Sequence, residues 1–99
     1  MKTIANSFNA VLAKAKPAAR PICEIAGDIQ RDWGSIGKGV GYAAKPYLEA
    51  LLTLATPEDD YYCDTGKSCA LYFLSNATSY RGENAKRLKA ELKEAYGIR

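Results

Sequence analysis

Apolar residues recur along this chain at helical spacing. Ile22, Ile25, Ala26, Ile29 and Trp33 stand three and four positions apart, the stripe of a helix with one face in a core, and Gly34 closes the run. Pro21 suits the first helical position, where its missing N–H costs nothing. Ile4, Phe8, Val11, Leu12 and Ala15 form an earlier stripe of the same kind, begun at Thr3 and ended by Pro17. Tyr47, Leu48, Leu51, Leu52 and Ala55 make a third, with Pro46 in its first turn. Thr56-Pro57-Glu58-Asp59 predicts a short helix with a threonine cap, a proline at its first position and two carboxylates at the positive end of its dipole, ending near Thr65-Gly66. Ala70, Phe73, Leu74 and Ala77 predict a central buried helix, although the apolar run that contains Phe73 would also suit a buried strand. Ala85, Leu88, Leu92 and Ala95 line the inside of a last helix, capped by Ser79 and running to Tyr96 before Gly97. Residues 34–41 hold four glycines in eight positions and read as a surface loop. The expected architecture is one compact all-α domain, residues 1–99, of five or six short helices.

Composition narrows the chemistry more than the fold. A chain of 99 residues builds one core, and 47% hydrophobic with 25% charged residues is ordinary for a globular domain. No apolar run approaches the ~20 residues that cross a bilayer. Residues 1–15 have the lysine and partly apolar stretch of a signal peptide, but Asn6, Ser7 and Asn9 interrupt it, so an amphipathic helix of the mature protein is the reading. There is no histidine, which removes the commonest general base and the commonest metal ligand. Cys23, Cys63 and Cys69 make an odd set, and the spacing of the last two matches no common zinc pattern. They read as free, packed thiols in a reducing cytosol. With no nucleophile–base pair in view, neither an enzyme nor a metal or cofactor is expected.

The net charge of +3 is segregated. Residues 1–22 carry +4, residues 23–56 carry −1, residues 57–78 carry −3 and residues 79–99 carry +3, so basic ends flank an acidic middle. Three motifs are decoys. Asp64-Thr65-Gly66 matches the triplet of dimeric aspartic proteases without their β-rich surroundings and reads better as a helix-ending turn. Gly66-Lys67-Ser68 ends like a phosphate-binding loop, but the first glycine of that loop would fall on Tyr61. Gly34, Gly37, Gly39 and Gly41 follow a helix, not the strand a dinucleotide site requires, which leaves Lys38 with backbone N–H groups as a secondary anion contact. The last helix is basic on its outer face through Arg81, Lys86, Arg87, Lys89 and Lys93, with Glu83–Arg87 and Arg87–Glu91 as i,i+4 pairs on its wet side.

The run from Tyr72 through Phe73-Leu74-Ser75-Asn76-Ala77-Thr78-Ser79-Tyr80-Arg81-Gly82-Glu83-Asn84-Ala85-Lys86, and on through Lys89-Ala90-Glu91-Leu92, resembles a stretch of short open reading frames in tailed phages and prophages. Those carry tryptophan more often at the position of Tyr80. The resemblance implies a context, a small accessory protein acting inside a bacterial host, and brings no activity or catalytic residue with it. With the small size and the missing catalytic groups, it leads to an expected function. This is a small non-enzymatic phage accessory protein that binds and inhibits a host macromolecule in the bacterial cytoplasm, a defence inhibitor of the anti-CRISPR kind. Its partner is a host protein or ribonucleoprotein complex, with no membrane and no small-molecule substrate. The alternative is a small phage DNA-binding or regulatory protein using the basic C-terminal helix. The expected partner surface is Tyr80, Arg81, Lys86, Arg87, Lys89 and Lys93, an aromatic and an arginine being enriched at interface hot spots.

Overall fold

Helix α1 (Ile22–Gly34) forms as its stripe predicts, burying Ile22, Ile25, Ala26, Ile29 and Trp33. It belongs to a computed structural model that describes residues 20–98; the stripe from Ile4 to Ala15 lies outside the described residues. Helix α2 (Lys45–Leu51) follows the glycine loop, then a hairpin of β1 (Asp60–Tyr61) and β2 (Asp64–Thr65), then α3 (Gly66–Ser75) and α4 (Glu83–Tyr96). Helix α2 packs chiefly on α3, and α1 on α4. The all-α expectation of five or six helices is therefore corrected: the described residues hold four helices and one two-stranded antiparallel sheet. None of these helices is long and apolar enough to cross a membrane.

The missing helix is the one expected from Thr56. The Asp59 carboxylate folds back to accept the N–H groups of Ala55 and Thr56, both at 2.9 Å, while the Asp59 N–H donates to the Thr56 carbonyl. A closed turn results. No apolar residue recurs three or four positions on to reward a helix, and Asp60-Tyr61 pairs with Asp64-Thr65 across a tip at Tyr62 and Cys63. Thr65 then starts a helix where the sequence pattern ended one, its hydroxyl accepting the Ser68 N–H at 3.1 Å. The Asp64-Thr65-Gly66 triplet is thus a strand end and an N-cap, not a helix-ending turn. Helix α3 is a helix and not a strand, but it is not wholly buried. Cys69, Ala70 and Phe73 face inward, while Leu71 and Tyr72 are exposed, Tyr72 stacking on Tyr47 of α2 with ring centroids 5.3 Å apart. Beyond α2, Leu54 is buried and Ala55 is exposed, the reverse of what the third stripe implies.

The core runs from Ile22, Ile25 and Ile29 of α1 through Leu48 and Leu51 to Phe73, Leu88 and Leu92, with Trp33 edge-on to Phe73 at 6.2 Å. Two cross-links close it. The first two helical N–H groups of α1 lack a side-chain cap and donate instead to the carbonyls of Ala55 and Leu54, at 3.0 and 2.8 Å. Arg20 joins α1 to α4, donating to Asp28 at 2.6 Å and to both oxygens of Glu91 at 2.9 and 2.8 Å. Asp28 also receives Arg31. Glu91 is therefore taken by Arg20, not by Arg87 on the wet side. Of the three cysteines, all free, Cys69 is buried, Cys23 half-buried and Cys63 exposed at the hairpin tip, so packing holds only part of the set.

These contacts set the pH range of the fold. Three carboxyls sit below the ordinary aspartate range: Asp28 through its bond from Arg20, Asp32 through bonds from Tyr80 and Asn84, and Asp59 through the Thr56 and Ala55 N–H groups. Their contribution is complete above the unfolded value near 3.8 and is lost as pH falls through the lower folded values, because the unfolded chain then binds more protons. Burial pushes the Tyr96 hydroxyl up to about 12, so its contribution is complete below 10 and is lost between the two values. Thermal melts from pH 2 to pH 12 are expected to show a plateau falling away below about 4 and above about 10. A melting temperature still rising as pH drops from 5 to 3 would contradict the Asp28, Asp32 and Asp59 geometry.

Candidate functional site

The segment between α3 and α4 decides what the basic end of the chain can present. Ala77 and Tyr80 plug it into the core, each at 1% exposure or less. The Tyr80 ring stacks on Trp33 with centroids 4.9 Å apart and planes inclined by 14°, and its hydroxyl donates to Asp32 at 2.6 Å. Asn84 donates to the other Asp32 oxygen at 3.1 Å. Lys89, reaching back from α4, donates to the carbonyls of Ala77 and Tyr80, both at 2.6 Å, and its ammonium lies 5.5 Å from the Tyr80 ring centroid. Tyr80 is thus a core residue, and its aromatic ring is not open to a partner.

Beside this plug the chain forms an open groove. Gly82 precedes α4 with φ +117° and ψ 175°, a region that L side chains avoid at a cost of roughly 1–3 kcal/mol; a Cβ there would meet nothing within 4 Å, so the requirement is conformational. Arg81, just before it, shares the lining of one depression with the first three turns of α4. This depression of about 500 Å³ is lined by Tyr80, Arg81, Gly82, Ala85, Lys86, Lys89, Ala90 and Lys93. Four of those residues are cationic and none is acidic. Ala85 and Ala90 keep the floor low. Arg81 is exposed, with only a long 3.4 Å contact from its Nε to the Thr78 carbonyl. The crowding registers on Lys89, whose ammonium is held below the ordinary lysine value first by burial and then by the charges of Lys93 and Arg81.

Of the residues expected at the partner surface, Tyr80, Arg81, Lys86, Lys89 and Lys93 are thus brought to one groove, in two roles. Arg81, Lys86 and Lys93 are exposed and project their charges, while Tyr80 and Lys89 build the wall beneath them. Arg87 faces elsewhere: it does not line the groove, and its charge acts on Asp32, helping to hold that carboxyl down. Lys38 stands exposed in the loop between α1 and α2, away from the groove lining. Sequence reasoning missed Gly82 and Ala90 as groove residues and placed Ala85 only on the inner stripe. For the two alanines the signal is that each stands next to a lysine, Ala85 beside Lys86 and Ala90 beside Lys89, which leaves room between the cations. Among the described residues no three of Cys, Asp and Glu come together to hold a metal ion.

Four positive groups around a shallow floor, with no carboxylate lining it, make a site whose mutual repulsion is relieved when an anion enters. It offers no nucleophile beside a base. Comparison of the chain with protein-family models, with curated proteins and with solved structures found no match.

Proposed function

We propose that this chain is a small non-enzymatic binding protein, acting in the cytoplasm of a bacterial host, that occupies an anionic surface of a host macromolecule and blocks it. The observation that carries the reading is the groove itself, where Arg81, Lys86, Lys89 and Lys93 converge without a lining carboxylate. The resemblance of residues 72–92 to short phage reading frames supplies the context, and inhibition of a defence ribonucleoprotein is the form of activity that this context suggests.

The test is charge reversal within the groove. Lys86→Glu with Lys93→Glu alters two exposed side chains, so the fold is expected to persist. Recovery of host partners on immobilised protein is expected to fall at least tenfold, whereas Lys45→Glu on α2 leaves it unchanged. Equal recovery by the folded double variant would place the binding surface elsewhere, with the loop around Lys38 next in line.

A further inference from the structure

Among the described residues, nothing covers the apolar outer face of α2 and α3. Leu71 and Tyr72 of α3 are 44% and 55% exposed, and Tyr72 stacks on Tyr47 of α2, so the three side chains form one patch across both helices. None of the three lines the basic groove. Toward the hairpin end of α3 the surface turns acidic, with Glu58, Asp60 and Asp64 exposed. The described residues begin at that same end. Ile22 and Cys23 donate to the carbonyls of Ala55 and Leu54, and a Leu54 methyl lies 3.1 Å from where a Cβ of Gly66, the first residue of α3, would stand. The chain therefore enters α1 beside the start of α3, with 19 residues before Arg20.

Those 19 residues carry the complement of this face. Ile4, Phe8, Val11, Leu12 and Ala15 recur at helical spacing, accompanied by Lys2, Lys14 and Lys16 and by no acid. We propose that residues 3–15 dock on the α2–α3 face as an amphipathic helix. The stripe covers Tyr47, Leu71 and Tyr72, and Lys14 and Lys16 lie toward Glu58, Asp60 and Asp64.

Length and direction agree with this. Residues 16–19 reach at most about 14 Å when extended, and a helix over residues 4–15 is about 17 Å long. Tyr72 stands six residues beyond Gly66, about 9 Å along the axis of α3. The lysines nearest Arg20 thus fall at the acidic end, and Phe8 is carried on to Tyr72 and Tyr47. Tethering selects this occupant over a separate protein. A segment on a four-residue linker meets the face at an effective concentration in the millimolar range, which a free partner rarely matches. A second copy offers the same stripe, but only at its own concentration.

Hydrogen exchange and hydroxyl-radical labelling of the full chain test the docking. Amides of residues 8–15 are expected to exchange at least tenfold more slowly than in an unstructured chain. Leu71→Ser with Tyr72→Ser should remove most of that protection, and Lys14→Glu with Lys16→Glu should reduce it at least twofold. Phe8→Ser with Leu12→Ser leaves the sequence of residues 20–98 unaltered. It should raise labelling of Leu71 and Tyr72 at least threefold against Tyr42, which is 95% exposed and serves as the standard. Unprotected amides over residues 8–15, protection unchanged in either of the first two double variants, or labelling unchanged in the third overturns the proposal. So does protection that rises with protein concentration alongside a sedimenting dimer, which gives the face to a second copy.

Discussion

An alanine at Gly66 is expected to lower the melting temperature by about 10–20 °C, against the usual direction of a glycine-to-alanine change in a helix. The added Cβ would lie 2.6 Å from the Tyr96 hydroxyl, 2.8 Å from the Asp59 carbonyl oxygen and 3.1 Å from a Leu54 methyl. The carbonyl cannot withdraw freely, because it accepts the Gly66 N–H at 3.2 Å and so ties the hairpin to the start of α3. Overpacking of this kind costs roughly 2–3 kcal/mol, and each kcal/mol shifts the midpoint of a domain this size by about 4–8 °C. Tyr96→Phe separates the contributions. Its hydroxyl is buried without a hydrogen-bond partner, so phenylalanine alone should be neutral or mildly stabilising. In the double variant one of three close contacts disappears while the Asp59 carbonyl remains, and part of the lost stability should return. A Gly66→Ala protein melting at or above the parent temperature would show that α3 does not start against Tyr96.

Tyr80→Ala should be costlier still. It removes the ring stacked on Trp33, the hydroxyl bonded to Asp32 and the surface over which the Lys89 ammonium lies. Truncating a buried aromatic costs roughly 3–5 kcal/mol, a large fraction of the 5–15 kcal/mol that separates folded from unfolded states of a domain. Tyr80→Phe isolates the hydroxyl. Asp32 keeps Asn84 and partial access to water, so the loss should be about 1–2 kcal/mol. Urea denaturation is expected to show lower midpoints with an unchanged slope. Tyr80→Phe should leave partner affinity within twofold of the parent, and Arg81→Ala should lower it with little change in midpoint. If the phenylalanine variant instead loses binding at full stability, the tyrosine hydroxyl meets the partner directly.

Tyr80 also shows where the sequence was legible and where it was not. Period alone identified α1 and α4, because Ile22 to Trp33 and Ala85 to Leu92 keep one face apolar over two turns or more. It pointed to the basic cluster as well, since lysines at 86, 89 and 93 share one helix side. It could not assign their roles. Whether Lys89 meets solvent or two carbonyls depends on where residues 77–80 pass, and that path follows from Tyr80 finding Trp33, 47 positions earlier in the chain. The hairpin failed for a local reason. Thr56-Pro57-Glu58-Asp59 has good helix-starting chemistry, but the Asp59 side chain serves the residues before it. Gly66 looked like a stop because its need is for space beside Tyr96, which no spacing rule contains.

The bonds from Ile22 and Cys23 to the Ala55 and Leu54 carbonyls bear on how the molecule opens. A helix start is ordinarily where backbone amides fray and exchange with solvent first. Here the first amides of α1 are held by chain more than thirty positions distant, so they cannot be freed by unwinding one turn. Their exchange requires the exit of α2 to leave as well, which exposes Leu54 beneath Gly66. Deuterium uptake at Ile22 and Cys23 should therefore track the slow amides of the core, and helices α1 and α2 should open together as one cooperative unit.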